Sequence, residues 1–262
     1  MRMVLAVTLL PFAAGCGKNG KDGAVEVAPA ATSLAASAPS AAASGGQVWH
    51  LAVDQSGTSH IDMPGVTEHI VADTKGAAGT LDVVPTDLGQ SRGLIMIDLA
   101  TLTTSTFHTG DDGSQTEHAR TWLEVVVKGK TNEEMRWAQF AVRSVDGLSA
   151  TDVTKVAAAK DGADDVRKVS AVVHGDLLVH GHKVPKDDAV EVSFRYPAGA
   201  SADAKPSRVD VKSTQPMRVV LKEHAVEPRD PVGQLLGWTA KLISKVAETA
   251  DVTVNIAATP AP

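Results

Sequence analysis

The sequence predicts an all-β fold, an antiparallel barrel or sandwich of about eight or nine strands. Two observations predict it. Nine segments between residues 48 and 258 either alternate apolar and polar residues or are rich in β-branched residues, as half-buried strands are. The apolar residues are mainly Val, Leu, Ile and Ala, because aromatic residues make up only 3% of the 262-residue chain. Such a composition predicts a core built on aliphatic strand faces.

The predicted strands are short, and each has one apolar face. In chain order they lie at residues 48–53, 79–84, 93–99, 137–144, 169–179, 189–196, 207–213, 217–223 and 251–258. The alternation is clearest at 189–196, where Val190, Val192 and Phe194 alternate with polar residues such as Glu191. A shift of one residue would turn Glu191 inward, so the pattern fixes which residues face the interior.

Two segments have helical rather than strand periodicity. Residues 116–128 place Trp122 and Leu123 at helical spacing with other apolar residues, and residues 233–249 repeat apolar residues at steps of three and four. The second segment predicts an amphipathic helix of about four turns. It is either a lid packed on the β domain or a helix that contacts a membrane or a partner.

The N-terminus has the pattern of a bacterial lipoprotein signal. Residues 1–15 hold a basic Arg2, an apolar stretch and then small residues, and they are followed by Cys16, the only cysteine of the chain. We expect Cys16 to be acylated, for example with palmitate, and to anchor the protein. Residues 16–46 are the anchor and a tether rich in Ala, Ser, Pro and Gly. Residues 47–262 form the folded domain.

Charge and motifs exclude several classes of function. The net charge of −6 argues against nucleic-acid binding, which needs a basic surface. The sequence lacks the nucleophile elbow, the zinc-protease pair and the dinucleotide-binding glycine pattern, so no catalytic residue, metal site or cofactor is predicted. His174, His180 and His182 are expected to be surface-facing strand residues, and the acidic stretches 111–113 and 161–165 to be solvated turns.

Blocks spread from Trp49 to the end of the chain resemble the YceI family of periplasmic lipid-binding proteins. The block at 172–185, VVHGDLLVHGHKVP, is similar to the family's Gly-Asp-Leu hairpin, which Gly175, Asp176, Leu177 and Gly181 match. Other similar blocks lie at 48–63, 79–106, 117–125, 136–145, 220–230 and 246–258. Gln115 and Thr116 depart from the family, because they replace an Arg-Asp pair.

The resemblance implies an antiparallel, lipocalin-like barrel of about eight strands with an elongated apolar interior. Family members bind long isoprenoid chains, including quinone-like lipids and polyprenyl phosphates. Trp122 and Leu123 lie in the segment that resembles the family's short helix and are candidates for closing one end. Strand parity together with that helix predicts an apolar pocket lined by Ile95, Ile97, Leu99, Trp122, Leu123, Phe140, Val142, Val190, Val192, Phe194, Val254 and Ile256.

The sequence therefore predicts a membrane-anchored, non-enzymatic lipid-binding protein that carries or stores an apolar chain such as an isoprenoid. We expect it in the bacterial cell envelope, at the outer membrane and facing the periplasm. The alternative is a structural or protein-interaction module whose barrel is filled by its own side chains. A continuous apolar void inside the barrel distinguishes the first function from the second. The oligomeric state and the identity of the lipid do not follow from the sequence.

Overall fold

The computed structural model describes residues 33–34, 46–64, 69–107, 111–201, 203–226 and 247–261. In these residues one α-helix, α1, spans Asp111–Trp122, and the other regular elements are strands and short 3-10 turns. The strands are β1 Trp49–Val53, β2 Thr58–Pro64, β3 His69–Lys75, β4 Ala77–Val83, β5 Arg92–Asp98, β6 Thr103–Thr104, β7 Val126–Val127, β8 Lys130–Thr131, β9 Trp137–Asp146, β10 Ala159–Asp161, β11 Asp164–Val179, β12 His182–Pro197, β13 Arg208–Ser213, β14 Met217–Val220 and β15 Thr249–Pro260.

Strands β1, β4, β5, β9, β11, β12, β13 and β15 form a ring of eight within the described residues. The ring closes because β15 pairs antiparallel with β13 on one side and with β1 on the other. Five further strands of the same sheet, β2, β3, β6, β10 and β14, pair outside this ring. β15 pairs with two strands on each side. On one side its successive parts pair with β2 and β1, and on the other side with β14 and β13. The chain bends at Gly76 between β3 and β4, and β6 pairs with β3. The predicted antiparallel barrel is confirmed.

The longest hairpin joins β11 to β12, and both strands are longer than predicted. Each has 16 residues, and their register pairs Asp164 with Pro197 and Val179 with His182. The turn consists of His180 and Gly181, both with positive φ (50° and 74°), which is the conformation that a two-residue turn between twisted strands requires. The ends of both strands, at 164–168 and 183–188, are rich in charged residues. The hydrophobic pattern therefore did not predict that they are β structure.

Other predicted bounds were wrong in detail. Strands β2 and β3 were not predicted, because each has a polar residue, Ser59 or Thr74, on its inner face. The helix predicted at 116–128 begins earlier and ends at Trp122, while Val126–Val127 is a strand. Residues 111–113 are the first residues of α1 rather than a turn, and 161–165 includes the ends of β10 and β11.

Two further predicted strands include residues that form 3-10 turns in the structure. Leu99 begins the turn Leu99–Thr101 after β5, and Leu221–His224 follows β14. The helix predicted at 233–249 lies outside the described residues, apart from its last three positions. Of these, Ala247 and Glu248 are not helical, and Thr249 begins β15.

The inner faces of the strands form two apolar clusters, one toward each end of the barrel. The Trp49 cluster contains Trp49, Leu51, Phe194, Val209 and Ile256, among others, and its Trp49 and Phe194 rings meet edge to face with centroids 6.2 Å apart. The Met217 cluster contains Leu177, Met217, Val219 and Ala250. Burying these side chains is the main source of stability, at about 25 cal/mol per Å² of apolar surface.

The outer face of the barrel carries polar contacts and one docked side chain. Arg136 donates two hydrogen bonds to the Asp98 carboxylate, at 3.0 and 2.7 Å, and the backbone N–H of Ala100 donates a third at 3.0 Å. Leu34, from the segment predicted as a tether, is 2% exposed and packs on Leu94, Ala141 and Leu178. Its backbone N–H donates to Gln139 Oε1 at 2.8 Å.

A candidate ligand cavity inside the barrel

Inward-facing side chains of the strands surround a cavity of about 500 Å³. It lies between and beside the Trp49 and Met217 clusters, because members of both clusters line it. Cavities of this size are typical of small-molecule sites, which hold ligands of drug-like dimensions. Among the described residues, the side chains therefore leave space inside the barrel.

All the residues predicted from strand parity and from the helix resemblance lie on the wall of this cavity. They are Ile95, Ile97, Leu99, Trp122, Leu123, Phe140, Val142, Val190, Val192, Phe194, Val254 and Ile256. Alternation brings the strand residues together because successive side chains point to opposite faces of the sheet. That these residues contact a ligand stays a prediction.

Phe140 occupies its place on the wall because of a glycine on the neighbouring strand. A Cβ at Gly175 would lie 2.6 Å from Phe140 Cζ and 2.6 Å from the carbonyl oxygen of Ala141. The ladder between β9 and β11 also shifts register between His174 and Gly175. Glycine at this point of the Gly-Asp-Leu block thus lets the Phe140 ring lie against the backbone of β11.

Helix α1 lies beside one part of the cavity. Ser114, Gln115, His118, Ala119 and Trp122 of α1 contribute to the wall, and Leu123 follows directly. The helix is joined to the barrel through polar contacts: Arg120 donates to the carbonyl oxygen of Leu102 at 2.9 Å, and Thr116 Oγ1 accepts from the backbone N–H of Thr104 at 2.9 Å. This arrangement brings the predicted end-closing residues Trp122 and Leu123 to the cavity.

One carboxyl group, that of Asp188, lies on the mostly apolar wall. Asp188 Oδ2 accepts a hydrogen bond from Ser213 Oγ at 2.9 Å, and Ser213 Oγ accepts from the backbone N–H of Val254 at 3.0 Å. Burial raises the pKa of the Asp188 carboxyl from 3.8 to about 6, against the opposing effect of the Ser213 hydrogen bond. Asp188 is therefore neutral in mildly acidic solution and mostly ionised above neutrality.

Two hydroxyl groups on the wall are buried without partners. Ser59 is 4% exposed and Thr74 is fully buried, and both line the cavity. Neither hydroxyl oxygen has a hydrogen-bond partner among the described residues, and neither does Asp188 Oδ1. Most buried polar atoms in proteins are paired, so each of these three needs an explanation.

Sequence reasoning missed Ser59, Thr74, Asp188 and Ser213. Strand parity carried a usable signal for two of them, because Asp188 continues the series Val190, Val192 and Phe194, and Ser213 continues Val209 and Val211. The pattern alone treats a polar residue at such a position as the end of the buried face. Ser59 and Thr74 lie on strands that were not predicted.

The histidine prediction was wrong for His180. It lies in the turn between β11 and β12 and is 6% exposed, with its Nδ1 3.0 Å from the carbonyl oxygen of His224 and its Nε2 3.1 Å from Glu124 Oε2. His174 lies on the outer face, 2.7 Å from Asp187 Oδ1. Within the described ranges, no three His, Cys, Asp or Glu side chains are grouped so that they could hold a metal ion.

The membrane-related predictions fall mostly outside the described residues. Residues 1–15 and Cys16 are not among them, and of the tether at 16–46 the structure describes only 33–34 and Gly46. No helix in the described part of the chain is both long and apolar enough to cross a bilayer.

Comparison with known proteins gives matches among solved structures only. No family model and no curated protein matches the chain. The chain is similar to a polyisoprenoid-binding domain from Saccharophagus degradans implicated in plant cell wall breakdown, with 14% identity and a TM-score of 0.48 over 82% of this chain and 100% of that one. It is also similar to BcnA of Burkholderia cenocepacia, with 14% identity and a TM-score of 0.46 over 79% of this chain and 99% of that one.

Proposed function

We propose that this protein binds a long apolar chain, such as an isoprenoid lipid, in the cavity of its barrel. The observation that carries the proposal is the cavity of about 500 Å³ whose wall is mostly aliphatic. A ligand held there gains about 25 cal/mol for each Å² of apolar surface that leaves water. Such binding needs no catalytic group, and we propose carriage or storage of the chain rather than a reaction on it.

The proposal includes a place in the cell. We propose that Cys16 is acylated and that the protein is anchored in the bacterial envelope, at the outer membrane and facing the periplasm. The support is the sequence of residues 1–16, with its basic residue, apolar stretch and small residues before the cysteine. Replacing Cys16 with Ala should release the protein from the membrane fraction or block its maturation. A cleaved Cys16→Ala variant that stays in the membrane fraction contradicts the anchor.

The direct test of binding is to extract the purified protein with organic solvent and to analyse the extract by mass spectrometry. A long-chain isoprenoid present in stoichiometric amount supports the proposal. Delipidated protein should also bind an added isoprenoid such as farnesol. If no lipid is extracted and no isoprenoid binds, the proposed function is wrong.

A variant pair connects binding to the cavity. Phe140→Trp places a larger ring on the wall and narrows the cavity, so affinity for the chain should fall about tenfold or more. Overpacking by the larger ring should also lower folding stability by about 1–3 kcal/mol. Lys212→Trp is the matched control, because Lys212 is exposed and lies next to Val211, which faces the cavity. Unchanged binding by a folded Phe140→Trp variant would show that the chain does not contact this part of the wall.

A further inference from the structure

An apolar patch on the outer face of the barrel is covered by a residue that lies before the first strand. We call this patch the tether dock. Leu94, Ala141 and Leu178 each lie next to a residue that lines the cavity, so alternation turns their side chains to the outer face. The side chains of the dock come from three neighbouring strands, β5, β9 and β11, and they are Leu94, Met96, Gln139, Ala141 and Leu178.

Leu34 is the residue that covers the tether dock. Leu94, Ala141 and Leu178 are 8%, 3% and 2% exposed, although they lie on the outside of the barrel, and Leu34 itself is 2% exposed. The side chain of Leu34 packs on these three residues, and its backbone N–H donates to Gln139 Oε1 at 2.8 Å. Apolar contact thus holds the side chain of Leu34, and a hydrogen bond holds its backbone.

The sequence on both sides of this contact fits a specific site. Strand β5 is apolar at four successive positions, 94–97, whereas a strand with one face in water alternates apolar and polar residues. The outer face of β5 therefore needs a cover. Leu34 is the only Leu, Ile, Met or aromatic residue between Cys16 and Trp49, so the segment predicted as a tether offers one large apolar side chain of this kind.

The chain between Leu34 and the barrel is long enough for this contact. Trp49, the first residue of β1, follows Leu34 by 15 positions, which span about 50 Å at most. Strand β4 alone separates β1 from β5, so the dock begins two strand spacings, or about 10 Å, from β1. Docking is therefore an intramolecular event that needs no partner molecule.

Occupation of the tether dock changes where the barrel is attached to the preceding chain. Cys16 lies 33 positions before Trp49 but only 18 positions before Leu34. Fully extended, these lengths reach about 115 Å and about 60 Å. With Leu34 docked, the point of attachment is the outer face of β5, β9 and β11 instead of the start of β1, and the maximal reach from Cys16 is about half as long.

We propose that the tether dock is an intramolecular binding site for Leu34 and that its occupation halves the distance that the barrel can move from its membrane anchor. The proposal rests on the anchoring of Cys16 in the proposed function, and it does not depend on which lipid the cavity holds. A charged side chain at residue 34 cannot occupy the dock, because a buried charge without a partner is costly. Leu34→Asp therefore removes docking while leaving the barrel itself unchanged.

Hydrogen exchange of the acylated full chain in detergent tests the dock. Exchange of the Leu34 backbone N–H should be about tenfold or more slower in the wild type than exchange of the same N–H in Leu34→Asp. Leu34→Met, which conserves volume, should retain the protection. Val127→Asp is the control, because it places the same charge on an exposed apolar residue of β7, outside the dock. A Leu34 N–H that exchanges freely in the wild type, or protection that survives Leu34→Asp, overturns the proposal.

Energy transfer on vesicles tests the reach. A donor dye is attached to the thiol introduced by Lys212→Cys, on the exposed side of β13, and the vesicles of phosphatidylethanolamine and phosphatidylglycerol carry an acceptor on a lipid head group. Transfer should be weaker for Leu34→Asp than for the wild type or Leu34→Met, and equal transfer overturns the proposal. Equal vesicle binding by a Cys16→Ala variant contradicts the anchor, and this proposal with it. Protection of the Leu34 N–H in the exchange experiment distinguishes that failure from failure of the dock.

Discussion

Two adjacent aspartates of β12 show how differently the outer and inner faces of the barrel treat polar side chains. Asp187 points outward, where its carboxylate lies 2.7 Å from Nδ1 of His174, its neighbour across the β11–β12 ladder. Asp188 points inward, where one oxygen accepts from Ser213 and the other has no partner among the described residues. The outward carboxylate is thus paired with a neighbouring side chain, whereas one oxygen of the inward carboxyl group is buried without a partner among the described residues.

A similar contrast is found at other positions of the barrel. On the outer face, Lys168 lies 2.8 Å from Glu191, and Arg195 lies 2.7 Å from Asp210. On the inner face, Ser59 and Thr74 are buried and unpaired. Exposed ion pairs contribute little to stability, but a buried unpaired group is costly. The inner hydroxyl groups are therefore expected to lower the stability of the fold, whereas the outer ion pairs change it little.

The largest effect is expected from the best-paired carboxylate of the outer face. Asp98→Ala removes the acceptor of three hydrogen bonds and leaves Arg136 without its main partner, so the free energy of unfolding should fall by about 3 kcal/mol. Urea unfolding of the purified variant measures it. Arg218→Ala breaks the exposed Arg218–Asp251 pair and should cost less than about 0.5 kcal/mol. If both variants lose the same free energy of unfolding, the burial of Asp98 does not make the Asp98–Arg136 pair more stabilising than the exposed Arg218–Asp251 pair.

Asp188→Asn should stabilise the protein above neutral pH. The pKa of Asp188 is raised to about 6 in the folded state, so the folded protein binds more protons than the unfolded chain between pH 3.8 and 6. Stability is therefore lost as the pH rises through this window and stays lower above it. We expect Asp188→Asn to gain about 2 kcal/mol at pH 8 and little at pH 4, measured by urea unfolding. Asp187→Asn is the control, and an equal gain from it would contradict this explanation.

Thr74→Val should stabilise the ligand-free protein by about 1 kcal/mol, because it replaces a buried, unpaired hydroxyl with a methyl group of similar shape. Thermal unfolding of delipidated protein measures the change. The matched variant Thr104→Val removes a hydroxyl that bonds to the carbonyl oxygen of Asp112 and to Thr116, so it should be destabilising. Destabilisation by both variants would mean that Thr74 has a partner in the folded protein, such as a bound water molecule.

The smallest effect is expected at His174. Hydrogen bonds to Asp146 and then Asp187 raise the pKa of His174 above its ordinary value of 6.5. The stability that this pairing contributes is present below the ordinary pKa and is lost as the pH rises through the raised one. Asp187→Asn should move the pKa of His174 back toward 6.5, as followed by NMR titration, with little change in stability. An unchanged pKa would leave Asp146 as the only effective partner.

The apolar residues of the cavity wall were predicted from the sequence, and the polar residues of the wall were not. Alternation placed Ile95, Val192 and Val254 correctly because an inward charge at the neighbouring positions would be costly. The same reasoning did not identify Asp188, although it has the parity of Val190 and Val192, because a polar residue in such a series is taken as the end of the buried face. It also missed β2 and β3, because Ser59 and Thr74 interrupt the apolar inner faces of these strands.

Helix bounds were harder to predict than strand faces for a different reason. Helix α1 begins at Asp111 among polar residues, so its first turn has no apolar periodicity, and its contacts with β6 are polar. The buried position of His180 depends on Glu124 and His224, which are distant in sequence. Contacts of that kind leave no local pattern from which they could be read.

The ring of the barrel is completed by its last strand, and this sets the order in which the chain can fold. In the described residues β15 pairs with β1, β2, β13 and β14, and it joins β1 across about 200 positions of sequence. Because the chain is made from its N-terminus, β1 and β13 emerge long before the strand that joins them. Until Thr249–Pro260 is synthesised, both keep unpaired edges, which are the surfaces through which β proteins associate wrongly. Closure is therefore a late and non-local step, and the incomplete chain depends on protection of those edges until it occurs.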